Sequence, residues 1–320
     1  MIFTIQRLQF AGVISKILNL EKIMDSKELL AGRNLNFDGL TVERDISGIK
    51  NLTIPQAHQL YDINVSYLFL GWIAAILTIL VGLPQLIFII RTKNVKGISL
   101  ISFWAFYTSL LFFSLLGLLL ISDQLIYTEF VAAIVFGVQM VLVIKYSEFK
   151  NHHIKIKKIV SYGLVGLFTV IPFIFMMLHI FRVLGNSLVV NDKYPSELNS
   201  FRQFVSIVGP VISMLSFLPQ TIQGIKNKEL HRLPFTFLVI LVTFNALWII
   251  SWLLNVGYYH NLWTYAKNQN PVNDALITNL YDSLITFALN TIFQIVGLTI
   301  ASTQMIFWRL QIKGKKIIWI

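Results

Sequence analysis

The chain has 320 residues, of which 56% are hydrophobic and only 13% are charged, and its formal net charge at pH 7 is +11. This composition excludes an ordinary soluble domain and is typical of an integral membrane protein. The absence of cysteine excludes disulfides, thiolate metal sites and cysteine nucleophiles.

The sequence contains no motif that would indicate an enzyme, a bound cofactor or a metal site. It has no glycine-rich phosphate loop, no nucleophile elbow and no zinc-protease histidine pair. The six histidines lack ligand spacing, and His152 and His153 fall in a basic loop. We therefore expect a protein that is not an enzyme, that needs neither cofactor nor metal, and that binds no nucleic acid.

Residues 1–64 form the one long polar stretch, with seven basic and seven acidic residues. Within it, Met1–Leu20 is apolar but carries Arg7 and Lys16, and no small-residue cleavage site follows. This pattern favours an amphipathic helix at the membrane surface over a cleaved signal peptide. Residues 34–50 are predicted to be loop or a small cap.

Seven apolar runs follow, each near the roughly 20 residues needed to cross the hydrocarbon core. The predicted spans are Val65–Ile90, Ile98–Ile121, Gln124–Ile144, Ile159–Leu184, Gln203–Ile225, Leu233–Leu254 and Asn279–Phe307.

The distribution of basic residues predicts how these spans are oriented. The turns after spans 1, 3 and 5 and the C-terminal tail together hold 15 basic and 2 acidic residues, and with seven spans all four lie on one face. By the positive-inside rule that face is cytoplasmic, which places the N-terminus outside and the C-terminus inside. Richness in Ile, Lys and Asn is typical of an AT-rich bacterial genome, and we therefore expect a multi-pass protein of a bacterial cell membrane.

A Pro-Gln pair occurs twice, 135 residues apart, as Pro84-Gln85 and Pro219-Gln220. Each pair lies near the end of an apolar run and is followed by a basic turn and another apolar run. Proline removes a helical hydrogen bond and kinks a span, so two matching kinks predict hinges around a shared site.

The repeat also predicts the fold class. Spans 1–3 and spans 5–7 follow the same order of elements, and the fourth span separates them, so both copies begin on the same side. We predict an all-α membrane protein of two three-helix bundles plus a linker helix, a 3+1+3 arrangement. The corresponding divisions are 1–64, 65–145, 146–202, 203–311 and the tail 312–320.

Leu83-Pro84-Gln85, the turn Arg91–Ser99 and Phe217-Leu218-Pro219-Gln220 carry a resemblance to a known family. Across residues 65–311 the chain resembles the PQ-loop superfamily. That superfamily contains the SWEET and SemiSWEET sugar transporters, cystinosin, basic amino-acid exporters of lysosomes and vacuoles, and the KDEL receptor. The resemblance implies a substrate site between the two bundles.

SWEET members also carry a proline at the start of the second helix of each bundle. Pro234 fills this position in the second half, but Ser99 occupies it in the first. Gly97-Ile98-Ser99 is closer to the Gly-Leu-Ser of cystinosin-like members. We therefore regard Pro84, Pro219 and Pro234 as hinge candidates, together with Gln85 and Gln220, whose amides could satisfy the freed backbone.

Asn245 and Trp248 follow Pro234 by eleven and fourteen residues and share one helical face. In SWEET members this span similarly places an aromatic side chain beside the sugar. An amide and an indole would suit a polar solute with an apolar face. The alternative is that Trp248 packs within its bundle and Asn245 bonds a neighbouring helix.

Glu129 lies in the outer third of span 3, where SWEET members have an asparagine of the sugar site. Asp282 is its approximate counterpart in span 7. Carboxylates within a span are costly and indicate function, unless they lie at the level of the lipid headgroups. Three deeper polar residues are predicted to contact solute or to pair with one another: Asn290, Gln139 and Gln294.

These patterns predict a transporter that moves a small polar solute across the bilayer by alternating access. Sugar is slightly favoured by Trp248, Asn245 and the SWEET resemblance. A proton-coupled amino-acid transporter of cystinosin type is favoured by Glu129 and Asp282. A non-transporting receptor on the same fold and assembly into a homo-oligomer both stay open.

Overall fold

The computed structural model describes residues 49, 53–95, 98–120, 122–147, 154–181, 183, 196–268 and 274–313. This part of the chain is helical and contains no strand, and it has seven segments long and apolar enough to cross a membrane. The predicted all-α fold with seven spans is confirmed. The amphipathic helix predicted within residues 1–20 lies outside the described residues.

The helices are α1 (Ile54–Thr92), α2 (Leu100–Leu120), α3 (Asp123–Tyr146), α4 (Ile154–Ile180), α5 (Ser196–Ser216), α6 (Leu218–Lys226), α7 (Phe235–Lys267) and α8 (Asp274–Gln311).

Three helices extend well past the spans predicted for them. Helix α1 has 39 residues and is therefore about 58 Å long, roughly twice the thickness of the hydrocarbon core. The first turns of α1 and α8 and the last turns of α7 pack together at one end, around Leu60, Leu262 and Leu280. These helices form a cap at the end of the molecule opposite the basic turns.

Helix α1 begins at Ile54, eleven residues before the predicted start of span 1. The backbone N–H of Thr53 donates to Oε1 of Gln56 at 2.9 Å, and Pro55 lies in the first turn. A side chain that returns to the backbone and an early proline both stabilise a helix start. Residues 54–64 are thus part of α1. Their sequence instead predicts that they belong to the polar N-terminal segment before the first span.

The two halves have the same internal order of packing. Helix α3 packs against both α1 and α2, and α8 packs against both α5 and α7. Between the halves, α1 packs against α7 and α2 packs against α5. Because the first helix of each half meets the second helix of the other, the halves are related by an approximate two-fold axis.

Helix α4 packs on α2 and α3 and thus belongs to the first bundle. The Tyr107 hydroxyl is hydrogen-bonded to Thr169 Oγ1 and donates to the carbonyl of Val165 at 3.2 Å. Gly137 of α3 lies directly beside this contact. The apolar outer face of α4 is exposed, as expected for a helix that faces lipid.

The basic turns after α1 and α6 each contain one left-handed residue at the same position of the repeat. Lys93 and Lys228, which are 135 residues apart, have φ angles of 52° and 55°. Left-handed residues commonly end helices, and the Lys93 N–H accordingly donates to the carbonyl of Ile89 at 2.8 Å. The repeat seen in the sequence therefore extends to the position of this left-handed residue.

Candidate functional site

The two Pro-Gln pairs lie in different local structures. Helix α1 continues without interruption through the buried Pro84, whereas α5 ends at Ser216 and α6 begins at Leu218. The carbonyl of Phe217, at this break, accepts hydrogen bonds from the Thr221 backbone and hydroxyl and from Gln304 Nε2. Only the second half therefore has a helix break at its Pro-Gln pair, and the hinge role of either proline stays a prediction.

The two glutamines of the Pro-Gln pairs are both buried, with different partners. Oε1 of Gln85 accepts from Nε2 of Gln139 at 3.0 Å, which ties α1 to α3. The backbone N–H of Gln220 donates to Ser102 Oγ at 2.9 Å, while its side-chain amide has no hydrogen-bond partner among the described residues. Pro234 is buried and directly precedes α7 as its N-cap residue.

Contacts to the Pro-Gln segments fix how the third helices of the two halves correspond. Gln139 of α3 contacts Gln85, and Gln304 of α8 contacts Phe217 and Thr221 in the equivalent segment. These two residues are therefore equivalent and lie 165 residues apart.

The same register corrects one sequence alignment. Gln294 lies 165 residues after Glu129 and is therefore its equivalent. The sequence pattern instead pairs Glu129 with Asp282. The long connection before α8 displaces that alignment, because Asp282 lies on the turns that project towards the cap.

A central cavity lies between the two halves, and all of the membrane spans except α4 contribute described residues to it. Water can occupy about 20 Å³ of it, which is room for one or two molecules. The cavity is thus too small in this conformation to hold a sugar or an amino acid. The cavity is lined by Thr78, Phe106, Ser109, Leu110, Phe113, Leu125, Glu129, Ser213, Phe244, Trp248, Trp252 and Gln294.

The cavity walls come from equivalent positions of the two halves. A smaller cavity adjoins the central one and shares Ser213, Phe244 and Gln294 with it. With offsets of 135 residues for the first two helices and 165 for the third, matched positions line one cavity or the other. The matched pairs are Thr78 and Ser213, Leu110 and Asn245, Phe113 and Trp248, and Glu129 and Gln294.

Glu129 is the one carboxylate on these walls among the described residues. Its side chain is 3% exposed, and its Oε2 atom has no hydrogen-bond partner in the described part of the chain. No described Lys, Arg or His lines either cavity. Because burying an unpaired carboxylate is costly, a bound proton, a cationic group or a hydroxyl donor would stabilise this position.

Trp248 begins a column of aromatic rings along one wall of the cavity. Its ring stacks on Trp252 with 5.0 Å between centroids, and Trp252 stacks on Phe287 at 5.6 Å. Tyr259 continues the column at 5.0 Å from Phe287. Trp248 and Trp252 line the central cavity and give it an apolar wall, and Phe287 and Tyr259 continue the column beyond it.

The predicted amide residue Asn245 has two hydrogen bonds within the second bundle. Its Nδ2 donates to the carbonyl of Leu241 at 2.6 Å, and its Oδ1 accepts from Gln294 Nε2 at 2.9 Å. Asn245 lines the smaller cavity, whereas Gln294 lines both. Asn245 therefore orients Gln294, which is the amide that reaches the central cavity.

Three predicted solute-binding residues are not on the cavity walls. Asp282 is half-buried and accepts from Gln203 Nε2 at 2.9 Å. Gln139 donates a hydrogen bond to Gln85, and Asn290 is buried on α8. Sequence reasoning missed five wall residues that carry a small hydroxyl or an aromatic ring: Thr78, Phe106, Ser109, Ser213 and Phe244.

Phenylalanine rings close the central cavity towards the basic turns. Phe106 of the first half contacts Phe217 of the second, with 5.2 Å between centroids. Phe106 also packs on Phe136 at 4.7 Å, and Phe217 packs on Phe237 at 6.0 Å. We refer to these four residues as the aromatic floor.

A family model of the PQ loop repeat matches residues 67–127, which include most of α1, all of α2 and the start of α3. No curated protein and no solved structure matches the chain. The resemblance drawn from the sequence is confirmed by this match in the first half. The chain is therefore a multi-pass membrane protein, helical over the described residues, whose first half contains a PQ-loop repeat.

Proposed function

We propose that this protein transports a small polar solute across the membrane by alternating access of its two three-helix bundles. The observation that carries the proposal is the central cavity, whose walls come from equivalent positions of both halves. A site at the interface of two repeats can be exposed to either side when the repeats rock against each other. In the present conformation the cavity has room for only one or two waters.

A sugar or polyol suits these walls well. Thr78, Ser213 and Gln294 provide neutral polar groups, and the indole of Trp248 provides a flat apolar face. The cavity has no described cationic residue to pair with the carboxylate of an amino acid. These features favour a neutral, hydroxyl-rich solute.

Proton-coupled transport of an amino acid is the second candidate, and Glu129 favours it. A buried carboxylate that lacks a protein partner can take up a proton or an ammonium group of the solute. A neutral amide could not perform this role. The two candidates therefore differ in what Glu129 contributes.

We also propose that the basic end of the molecule is cytoplasmic and that the helical cap is outside the cell. The described turns at the basic end carry Lys93, Lys145, Lys226 and Lys228, which are exposed. Positive residues are retained on the cytoplasmic face of bacterial membranes.

The test is uptake into proteoliposomes of a panel of labelled sugars and amino acids, with and without a proton gradient. Gradient-independent uptake of a sugar would support a facilitator. Gradient-driven uptake of an amino acid would support the second candidate. Binding without flux of any solute, in protein shown to be folded, would contradict transport and indicate a receptor.

Glu129→Gln separates the two candidates. We expect this variant to keep sugar uptake, because Gln294 shows that an amide fits the equivalent position. A proton-coupled transporter would instead lose its response to the gradient. Asp282→Asn is the matched control, because it makes the same change of carboxylate to amide at a position outside the cavity. An equal loss of uptake in both variants would contradict a special role for Glu129.

A further inference from the structure

The break between α5 and α6 changes the hydrogen bonding of the backbone donors at the start of α6. The first N–H groups of a helix have no partner within that helix. In α6, Pro219 has no N–H, and the Thr221 N–H donates to the carbonyl of Phe217 at 3.0 Å. The N–H of Gln220 instead donates at 2.9 Å to Ser102 Oγ, which belongs to α2 in the other half.

This hydrogen bond joins the two bundles beside the aromatic floor. Ser102 is fully buried and lies one helical turn from Phe106, on the side of the basic turns. Gln220 follows Phe217, which is the partner of Phe106 across the interface. The bond therefore holds α2 against α6 on the basic side of the cavity.

The equivalent positions in the other half of the repeat have neither the serine nor the helix break. The position equivalent to Ser102 is Phe237, and the position equivalent to Gln220 is Gln85. Gln85 lies inside the uninterrupted helix α1, where a backbone N–H is used by the preceding turn. The hydroxyl of Ser102 therefore faces the broken helix. At the equivalent position in the other half, where α1 is unbroken, the chain has the phenyl ring of Phe237.

We propose that Ser102 is a positioning residue for transport, because it caps the broken helix of the opposite bundle and stabilises the state that is closed at the basic end. The inference rests on the proposed function, in which this end opens during each cycle. Separation of α2 from α6 leaves the Gln220 N–H without its acceptor until water enters. Loss of one net hydrogen bond should raise the population of the open state about fivefold.

Thiol labelling measures this population, because the chain contains no cysteine. Met214→Cys places one thiol on the wall of the smaller cavity, beyond the aromatic floor as seen from the basic end. A membrane-impermeant maleimide is applied to each face of oriented vesicles. Asn227→Cys, in the exposed basic turn, identifies which face is the basic one.

We expect Ser102→Ala, added to the Met214→Cys protein, to raise the rate of thiol labelling from the basic face about fivefold. Ser114→Ala is the matched control, because Ser114 is a buried serine of the same helix whose hydroxyl has no partner among the described residues. An unchanged labelling rate in Ser102→Ala, or an equal increase in Ser114→Ala, would overturn the proposal.

Pro219→Ala tests the same bond from the donor side. An alanine allows a continuous helix, in which the Gln220 N–H is satisfied by its own helix. In that background we expect Ser102→Ala to have no further effect on labelling, whereas two independent effects would add. Additive effects would contradict capping across the interface.

The labelling assay needs no knowledge of the solute, so the two proposals fail separately. A Ser102-dependent labelling rate without any measurable solute flux would retain the capping role and contradict transport. Solute flux together with a labelling rate that is unchanged by Ser102→Ala would support transport and contradict the capping role.

Discussion

Buried amides hold the membrane helices of this protein together at single positions. Gln85 and Gln139 share one hydrogen bond between α1 and α3, and both side chains are almost completely buried. In hydrocarbon no water replaces a lost partner, so an unpaired amide costs more than the bond itself contributes. The pairing explains why both glutamines lie away from the cavity walls.

A double-mutant cycle on this pair tests the structural role. Gln139→Leu leaves the amide of Gln85 without its partner and should destabilise the fold by about 1–3 kcal/mol. Gln85→Leu together with Gln139→Leu removes both polar groups and should recover most of that loss. Thermal unfolding in detergent measures both. A double variant less stable than either single variant would contradict the pairing.

The sequence predicts the conspicuous wall residues and misses the small ones. Glu129 and Trp248 stand out because a carboxylate or an indole in an apolar run is unusual. Thr78 and Ser213 carry no such signal, since single hydroxyls in membrane helices commonly bond their own backbone. Thr78 does so, donating to the carbonyl of Ala74 at 3.1 Å. Their 135-residue spacing is the one clue that the sequence offers.

Single helices show where local sequence and tertiary packing decide the structure. The start of α1 could have been predicted, because Thr53 and Gln56 have the spacing of a helix-capping pair. The break at Phe217 could not, since Pro84 and Pro219 have the same immediate setting. The difference lies in the packing around each pair, where Gln304 of α8 donates an additional hydrogen bond to the carbonyl of Phe217 at the break.

Docking of α4 onto the first bundle depends on the absence of a side chain at Gly137. A Cβ there would lie 2.8 Å from Thr169 Oγ1 and 3.0 Å from the Tyr107 hydroxyl. Gly137→Ala should therefore separate α4 from the bundle and destabilise the fold by about 1–3 kcal/mol. Gly163→Ala is the control, because a Cβ at Gly163 meets nothing within 4 Å. Equal unfolding temperatures for the two variants would contradict this docking.

At the level of the whole molecule, the two halves share a plan but differ in how freely they can bend. The first bundle has an uninterrupted α1 and carries α4 bonded to its side. The second bundle has a broken first helix, held at its break by Gln304 and Ser102. These differences predict that the second bundle supplies most of the movement while the first remains rigid.

Substitution of each proline measures this asymmetry. Pro219→Ala should slow solute uptake roughly tenfold, the effect of about 1.4 kcal/mol on a barrier, because it allows α5 and α6 to join. Pro84→Ala should have a much smaller effect, since α1 is already continuous. Uptake rates in proteoliposomes compare the two variants. A larger effect of Pro84→Ala would contradict a mobile second half.

The central claim is that one cavity, built by both halves, opens to each side of the membrane in turn. Thr78→Cys places a thiol on the cavity wall of a chain that has no other. Labelling by an impermeant maleimide should proceed from either face of oriented vesicles, and a bound solute should slow it from both. Labelling from one face alone, whatever solute is present, would contradict alternating access and leave a receptor with a one-sided pocket.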